Sequence, residues 1–132
     1  MNTQNLNLVD KVIELAKKFG SVDTEVVISN ISDTTVEARR GNIEFSNVSD
    51  NSSISLRVID NKKTALVSTT SEDEKSLKSL VIKAIEIAKN SLENPYDVIA
   101  QKNQFADNLK NENLEIFDNK TDNFGNTSIF EE

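Results

Sequence analysis

The sequence predicts an α+β fold, with one helix before and one helix after an antiparallel sheet of about five short strands. Three observations carry that expectation. Apolar residues repeat with a helical period at 6–19 and again at 71–92. Between them, over 24–70, the period changes to two. Gly, Asn, Asp and Ser also punctuate that middle stretch into hairpin-length pieces.

The first helix is predicted over 6–19. Leu8, Val12, Leu15, Ala16 and Phe19 form one stripe of a 3.6 period. Asp10 and Glu14 lie toward its start and Lys17-Lys18 toward its end, as the macrodipole prefers. Gly20 suits the left-handed position just past a helix end. The strands are then read as TEVVISNIS, TTVEARR, IEFSNV, SISLRVI and TALVSTT. Gly41-Asn42 is expected to turn the chain between the second and third. That loop would set Arg40 against Ile43, Arg39 against Glu44 and Ala38 against Phe45. Asn61-Lys62 is expected to turn it between the fourth and fifth. The second turn makes a testable register: Val58 opposite Ala65, Leu56 opposite Val67, Ile54 opposite Thr69, and Ser55 opposite Ser68 on the other face.

The second helix is predicted over 71–92. Ser71 and Glu74 have capping-box spacing, and Leu77, Leu80, Val81, Ala84, Ala88 and Leu92 form a wide apolar stripe. Pro95 disfavours helix at Asn94 and ends it. Hairpin connections imply an antiparallel sheet whose apolar face the two helices cover. After Pro95 the apolar signal thins. Residues 1–95 are therefore expected to form the α+β domain, 96–117 an extended connector and 118–132 a disordered, irregular tail.

A length of 132 residues suits one domain that buries a core without metals or disulfides. The net charge of −7 argues against nucleic acid and against anionic membrane surfaces as partners, because both attract basic surfaces. The chain has no Cys and no His, which removes disulfides, the usual zinc sites and His general bases. The start, MNTQNLNLVDKVIE, has no basic segment followed by an apolar one, so no secretory signal is expected. No stretch approaches the roughly 20 apolar residues of a membrane span. A cytoplasmic location is the default expectation.

Few residues offer chemistry. Arg39-Arg40 could grip a phosphate, but the expected hairpin gives Arg39 an acidic neighbour, Glu44, and makes the pair a hairpin shoulder. Glu72, Asp73 and Glu74 could attract a cation, but they fall in a first helical turn, where carboxylates serve the free N–H groups. Ser68, Thr69, Thr70 and Ser71 present hydroxyls without a suitably spaced base. Asp118, Asp122 and Gly125 are spaced loosely like a calcium loop, with Lys120 where a ligand oxygen belongs. The glycosylation-type triplets at Asn30, Asn47, Asn51 and Asn126 are what an Asn- and Ser-rich chain produces by chance. No catalytic, cofactor-binding or metal-ligating residue is expected.

The runs TTVEARRGNIEFSNVSD, SISLRVIDNKKTALVSTTSED and IEIAKNSLENPYD, in this order and spacing, resemble the N-terminal domain of the TldD/PmbA family, also called modulators of DNA gyrase. The first run matches the family sense V-x-x-R-x-G-x-I-E. The likeness extends from residue 8 to about residue 118, where LEIFDN resembles the PmbA (TldE) branch. Ser52, Ser55 and Ala65 stand where the family usually has glycine, which implies altered local geometry there. The resemblance implies a cytosolic, zinc-dependent heterodimeric metallopeptidase acting on unfolded or modified peptides. Zinc would belong to a TldD-like partner, whose HExxxH helix has no counterpart here. This chain would be the first domain of the noncatalytic PmbA/TldE-type subunit, with the catalytic-type C-terminal domain absent. A stand-alone peptide- or protein-interaction module and a nonfunctional remnant of a truncated family member are the alternatives.

Overall fold

The structure is a computed structural model that describes residues 3–20, 23–105, 115 and 118. Its elements are α1 (Thr3–Lys18), β1 (Asp23–Arg39), β2 (Asn42–Asp60), β3 (Lys63–Thr69) and α2 (Glu74–Asn90), followed by a 3₁₀ turn at Lys102–Gln104. The strands form one sheet in the order β1-β2-β3. The α+β class is as predicted, but the sheet has three strands rather than five. The first two expected strands are one continuous strand, and so are the third and fourth. Asp33 and the Ser49–Ser52 stretch contain no Gly or Pro. Apart from the half-buried Ser49, polar residues there occupy exposed positions of strands that continue through them.

Two compact units result, Met1–Asp33 with Val48–Ile99 and Thr34–Asn47 with Ala100–Glu132. The first holds both helices, β3 and the core. The second holds the β1–β2 hairpin end and the 3₁₀ turn. Of the expected connector and tail, everything past Phe105 except Glu115 and Asp118 lies outside the described residues.

In α1, Val12 and Ala16 are fully buried, and Leu8, Leu15 and Phe19 pack beside them as the 3.6 period requires. The helix begins at Thr3, earlier than predicted, so its first turn holds no acid, while Lys17 and Lys18 do occupy the last turn. Gly20 N–H donates to Lys17 O at 3.0 Å with φ +94°, a left-handed stop that Gly adopts without a Cβ penalty.

The β2–β3 register agrees with the predicted one at every pair: Ile54 with Thr69, Ser55 with Ser68, Leu56 with Val67 and Val58 with Ala65. It runs unbroken through Ser55 and Ala65, so these non-glycine residues leave the ladder regular. Asn61 and Lys62 both have positive φ, 52° and 62°, as a primed two-residue turn demands. Ile54, Leu56, Val58 and Ala65 share one face and join Leu77, Leu80, Val81, Ala84, Ile85 and Ala88 of α2 in the core. Complete burial of a side chain such as Leu56 removes apolar area worth roughly 1.5–3 kcal/mol. Helix α2 packs on β3, and α1 packs on α2, where Lys78 Nζ lies 5.7 Å from the Phe19 ring centroid. On the other sheet face Arg57 Nε donates to Glu25 Oε2 at 2.6 Å.

Helix α2 starts later than predicted. Its N-cap is Asp73, whose carboxylate accepts from Ser76 N–H at 2.9 Å. Ser71 is not the cap; its hydroxyl donates to Asp73. Asp outranks an exposed hydroxyl here because it brings charge to the free N–H groups as well as an acceptor. At the other end Ser91 N–H donates to Ala88 O at 3.1 Å, and Lys63 Nζ donates to Lys89 O at 3.2 Å. The chain after α2 thus returns to the beginning of β3.

Candidate functional site

The hairpin of Arg39 and Arg40 is a turn shoulder, but not in the predicted register. Arg40 (φ +53°) and Gly41 (φ +78°) are the turn residues, rather than Gly41 and Asn42. A type I′ loop needs left-handed geometry at both central positions, and the Arg40-Gly41 choice seats glycine at the second of them. Such a loop sets Arg39 against Asn42 and leaves Glu44 on the diagonal. Arg39 Nη1 reaches Glu44 Oε1 at 3.8 Å, with both side chains more than half exposed. An ion pair that open is weak. The face assignment survives the shift, because the slip amounts to two residues along one strand. Val36, Ala38, Ile43 and Phe45 still share a side.

Of the acidic trio, Glu72, Asp73 and Glu74, only Asp73 has a defined task, the cap. The Ser71 hydroxyl, with help from Ser76, holds its carboxyl well below the usual carboxylate range. A carboxylate stabilised in this way is a poor proton acceptor. The Ser71–Asp73 contact is therefore capping geometry and not an activated nucleophile. Ser71 N–H also donates to Thr69 Oγ1 at 3.1 Å, which joins the end of β3 to the start of α2. Asn30, Asn47 and Asn51 lie within β1 and β2. Of the calcium-like loop only Asp118 falls among the described residues; Lys120, Asp122, Gly125 and the triplet at Asn126 lie outside them.

A feature that residue types did not single out is a groove of about 460 Å³ between β3 and α2. Its walls are four consecutive residues, Leu66 to Thr69, and one helical stripe, Ser76, Ser79, Leu80 and Lys83. The capping residues at 71–76 close one end of this strand–helix junction. The groove was invisible in the pattern because it depends on how α2 returns over β3. The stripe itself could have been read, since hydroxyls and a lysine recur at i, i+3 and i+7 beside the buried Leu80.

The chain has no His or Cys, the usual zinc ligands. Among the described residues no group of three or more carboxylates converges, so their donor set does not fit the metal. Likewise, no helix among the described residues is long and apolar enough to cross a membrane.

An antiparallel three-stranded sheet backed by two helices defines the class as an α+β domain. Residues 24–88 match the family model described as PmbA/TldA metallopeptidase domain 1. The fold is similar to that of TldE from Thermococcus kodakarensis, with a TM-score of 0.63 at 17% identity, over 71% of this chain and 21% of that one. This chain thus spans about a fifth of that relative's length. No curated protein matches it. The chain belongs to the TldD/PmbA family, of which it carries the N-terminal domain.

Proposed function

We propose that the chain serves as the N-terminal domain of a PmbA/TldE-type subunit in a cytoplasmic, zinc-dependent peptidase assembly. It supplies surface and shape but no catalytic group. The observation that carries this reading is the family match over 24–88 in a chain without a zinc-donor set. In this role a TldD-like partner holds the metal, and unfolded or modified peptides are the substrate. The chain alone cleaves nothing.

The test is complex formation with a TldD-like protein, followed by sedimentation velocity. The proposal expects a one-to-one complex that persists at micromolar concentration, and no peptidase activity from the chain alone. Sedimentation as independent species would overturn it. Such a result would leave either a stand-alone peptide-interaction module, a reading that the open groove beside β3 favours, or a remnant without a partner.

A further inference from the structure

The outer edge of β3 is paired at its start and open further along. Asn94 N–H donates to Lys62 O at 2.8 Å, and Glu93 bridges Lys63 in antiparallel sense. Backbone groups of successive strand residues point to alternate sides. Lys63 closes the turn opposite Asp60 and so faces β2. The Lys62 carbonyl faces outward, and by alternation so do the N–H and C=O groups of Leu66 and Ser68. Among the described residues no backbone partner outside the sheet ladder and helices reaches either one.

The groove lies along this open stretch. Side chains of Leu66, Val67, Ser68 and Thr69 alternate between the two sheet faces, yet all four residues line it. A cavity that touches all four must follow the strand's edge. Four extended residues span about 13 Å, enough to pair a short segment of foreign chain. Lys83, on the opposite wall, makes no ion pair among the described residues.

We propose that this groove binds an extended peptide as an added strand on β3, antiparallel as Glu93 is. The peptide's backbone pairs with Leu66 and Ser68, and an acidic side chain of the peptide meets Lys83. Strand addition draws affinity from main-chain hydrogen bonds and tolerates many sequences. The wall chemistry favours a transient peptide over a permanent subunit contact. Ser68, Thr69, Ser76 and Ser79 make it hydroxyl-rich, whereas obligate interfaces are strongly apolar. The choice of a peptide as occupant rests on the peptidase role proposed above; the openness of the edge does not.

The test titrates the full 132-residue chain with a capped hexapeptide of alternating valine and threonine carrying one central glutamate. Amide exchange and calorimetry give the readouts. Saturable binding with slowed exchange at Leu66 and Ser68 is expected. N-methylation of the peptide's pairing amides should weaken binding roughly tenfold, the effect of losing two hydrogen bonds. Lys83→Glu should weaken it about two- to fivefold, as for an exposed ion pair, and should reverse the preference for glutamate over lysine in the peptide. No saturable binding, or equal binding of the N-methylated peptide, overturns the proposal without any altered protein being needed. Protection only when a TldD-like protein is added, with none from the peptide, would also overturn it and assign the edge to a subunit contact. Peptide binding without a TldD-like complex would instead refute the proposed function and leave this inference standing.

Discussion

The two halves of β2 follow the same alternating rule and meet opposite fates. In the half that lies in the core unit, Ile54, Leu56 and Val58 are at most 1% exposed. In the half that approaches the turn, Ile43 and Phe45 are 41% and 49% exposed despite similar apolarity. The difference is not in the strand but in what crosses it. The core built on the apolar stripe of α2 and on Val12 and Ala16 of α1 takes in Ile54, Leu56 and Val58 of β2, with Val26 and Ile28 of β1 packed beside it, but not Ile43 or Phe45. Alternation therefore reports that one face of a strand is apolar. Burial requires a second apolar surface at the same place.

The sharpest way to break this comparison is to truncate one residue in each half. Leu56→Ala should destabilise the chain by about 2–5 kcal/mol in urea unfolding, because the site is enclosed and leaves a cavity. Phe45→Ala should cost less than about 1 kcal/mol in the same assay. Equal losses would mean that the hairpin end is as well packed as the core. The two turns give a smaller contrast. Lys62 holds φ +62°, so Lys62→Gly, which creates the favoured Asn-Gly pair, should raise stability by about 0.5–1 kcal/mol in thermal unfolding. Gly41→Ala imposes a Cβ at φ +78° with nothing within 4 Å of it. Its penalty should therefore be purely conformational, and faster amide exchange of the neighbouring hairpin should reveal it before global unfolding changes.

The smallest effect belongs to the cap of α2. Asp73 has its folded pKa lowered beneath the ordinary 3.8 by the Ser71 and Ser76 hydrogen bonds. A depressed carboxylate contributes stability that is present above about pH 4 and is lost as acid protonates it in the folded state. Asp73→Asn should therefore lower the midpoint of unfolding slightly at pH 7 and flatten the loss of stability below pH 4. An unchanged acid limb would remove Asp73 from the account.

Where turn chemistry and alternation agreed, the sequence was readable to the residue. The Asn61-Lys62 hairpin and its partners are the clearest case. Helix positions were readable from the stripes of α1 and α2, with their ends displaced by a few residues. The strand count was not, because Asp33 and Ser49–Ser52 look like breaks until both strands are seen to continue through them. The Arg40-Gly41 turn was displaced because Gly-Asn and Arg-Gly both place a glycine in the loop, and only backbone geometry separates them. The spacing of Ser71 to Glu74 fits a capping box. Asp73, two residues on, caps the helix with Ser71 as its own donor. The groove beside β3 left almost no trace in the pattern. It depends on how α2 returns over β3, which no local period encodes.

The proposed role is to assist a peptidase while contributing no catalytic group. The direct measurement is the rate at which a zinc-loaded TldD-like protein cleaves an unfolded peptide as this chain is titrated into it. The account predicts no cleavage by the chain alone and a saturable change in rate that levels off at one chain per partner. A rate that stays flat through a severalfold excess of the chain would contradict it.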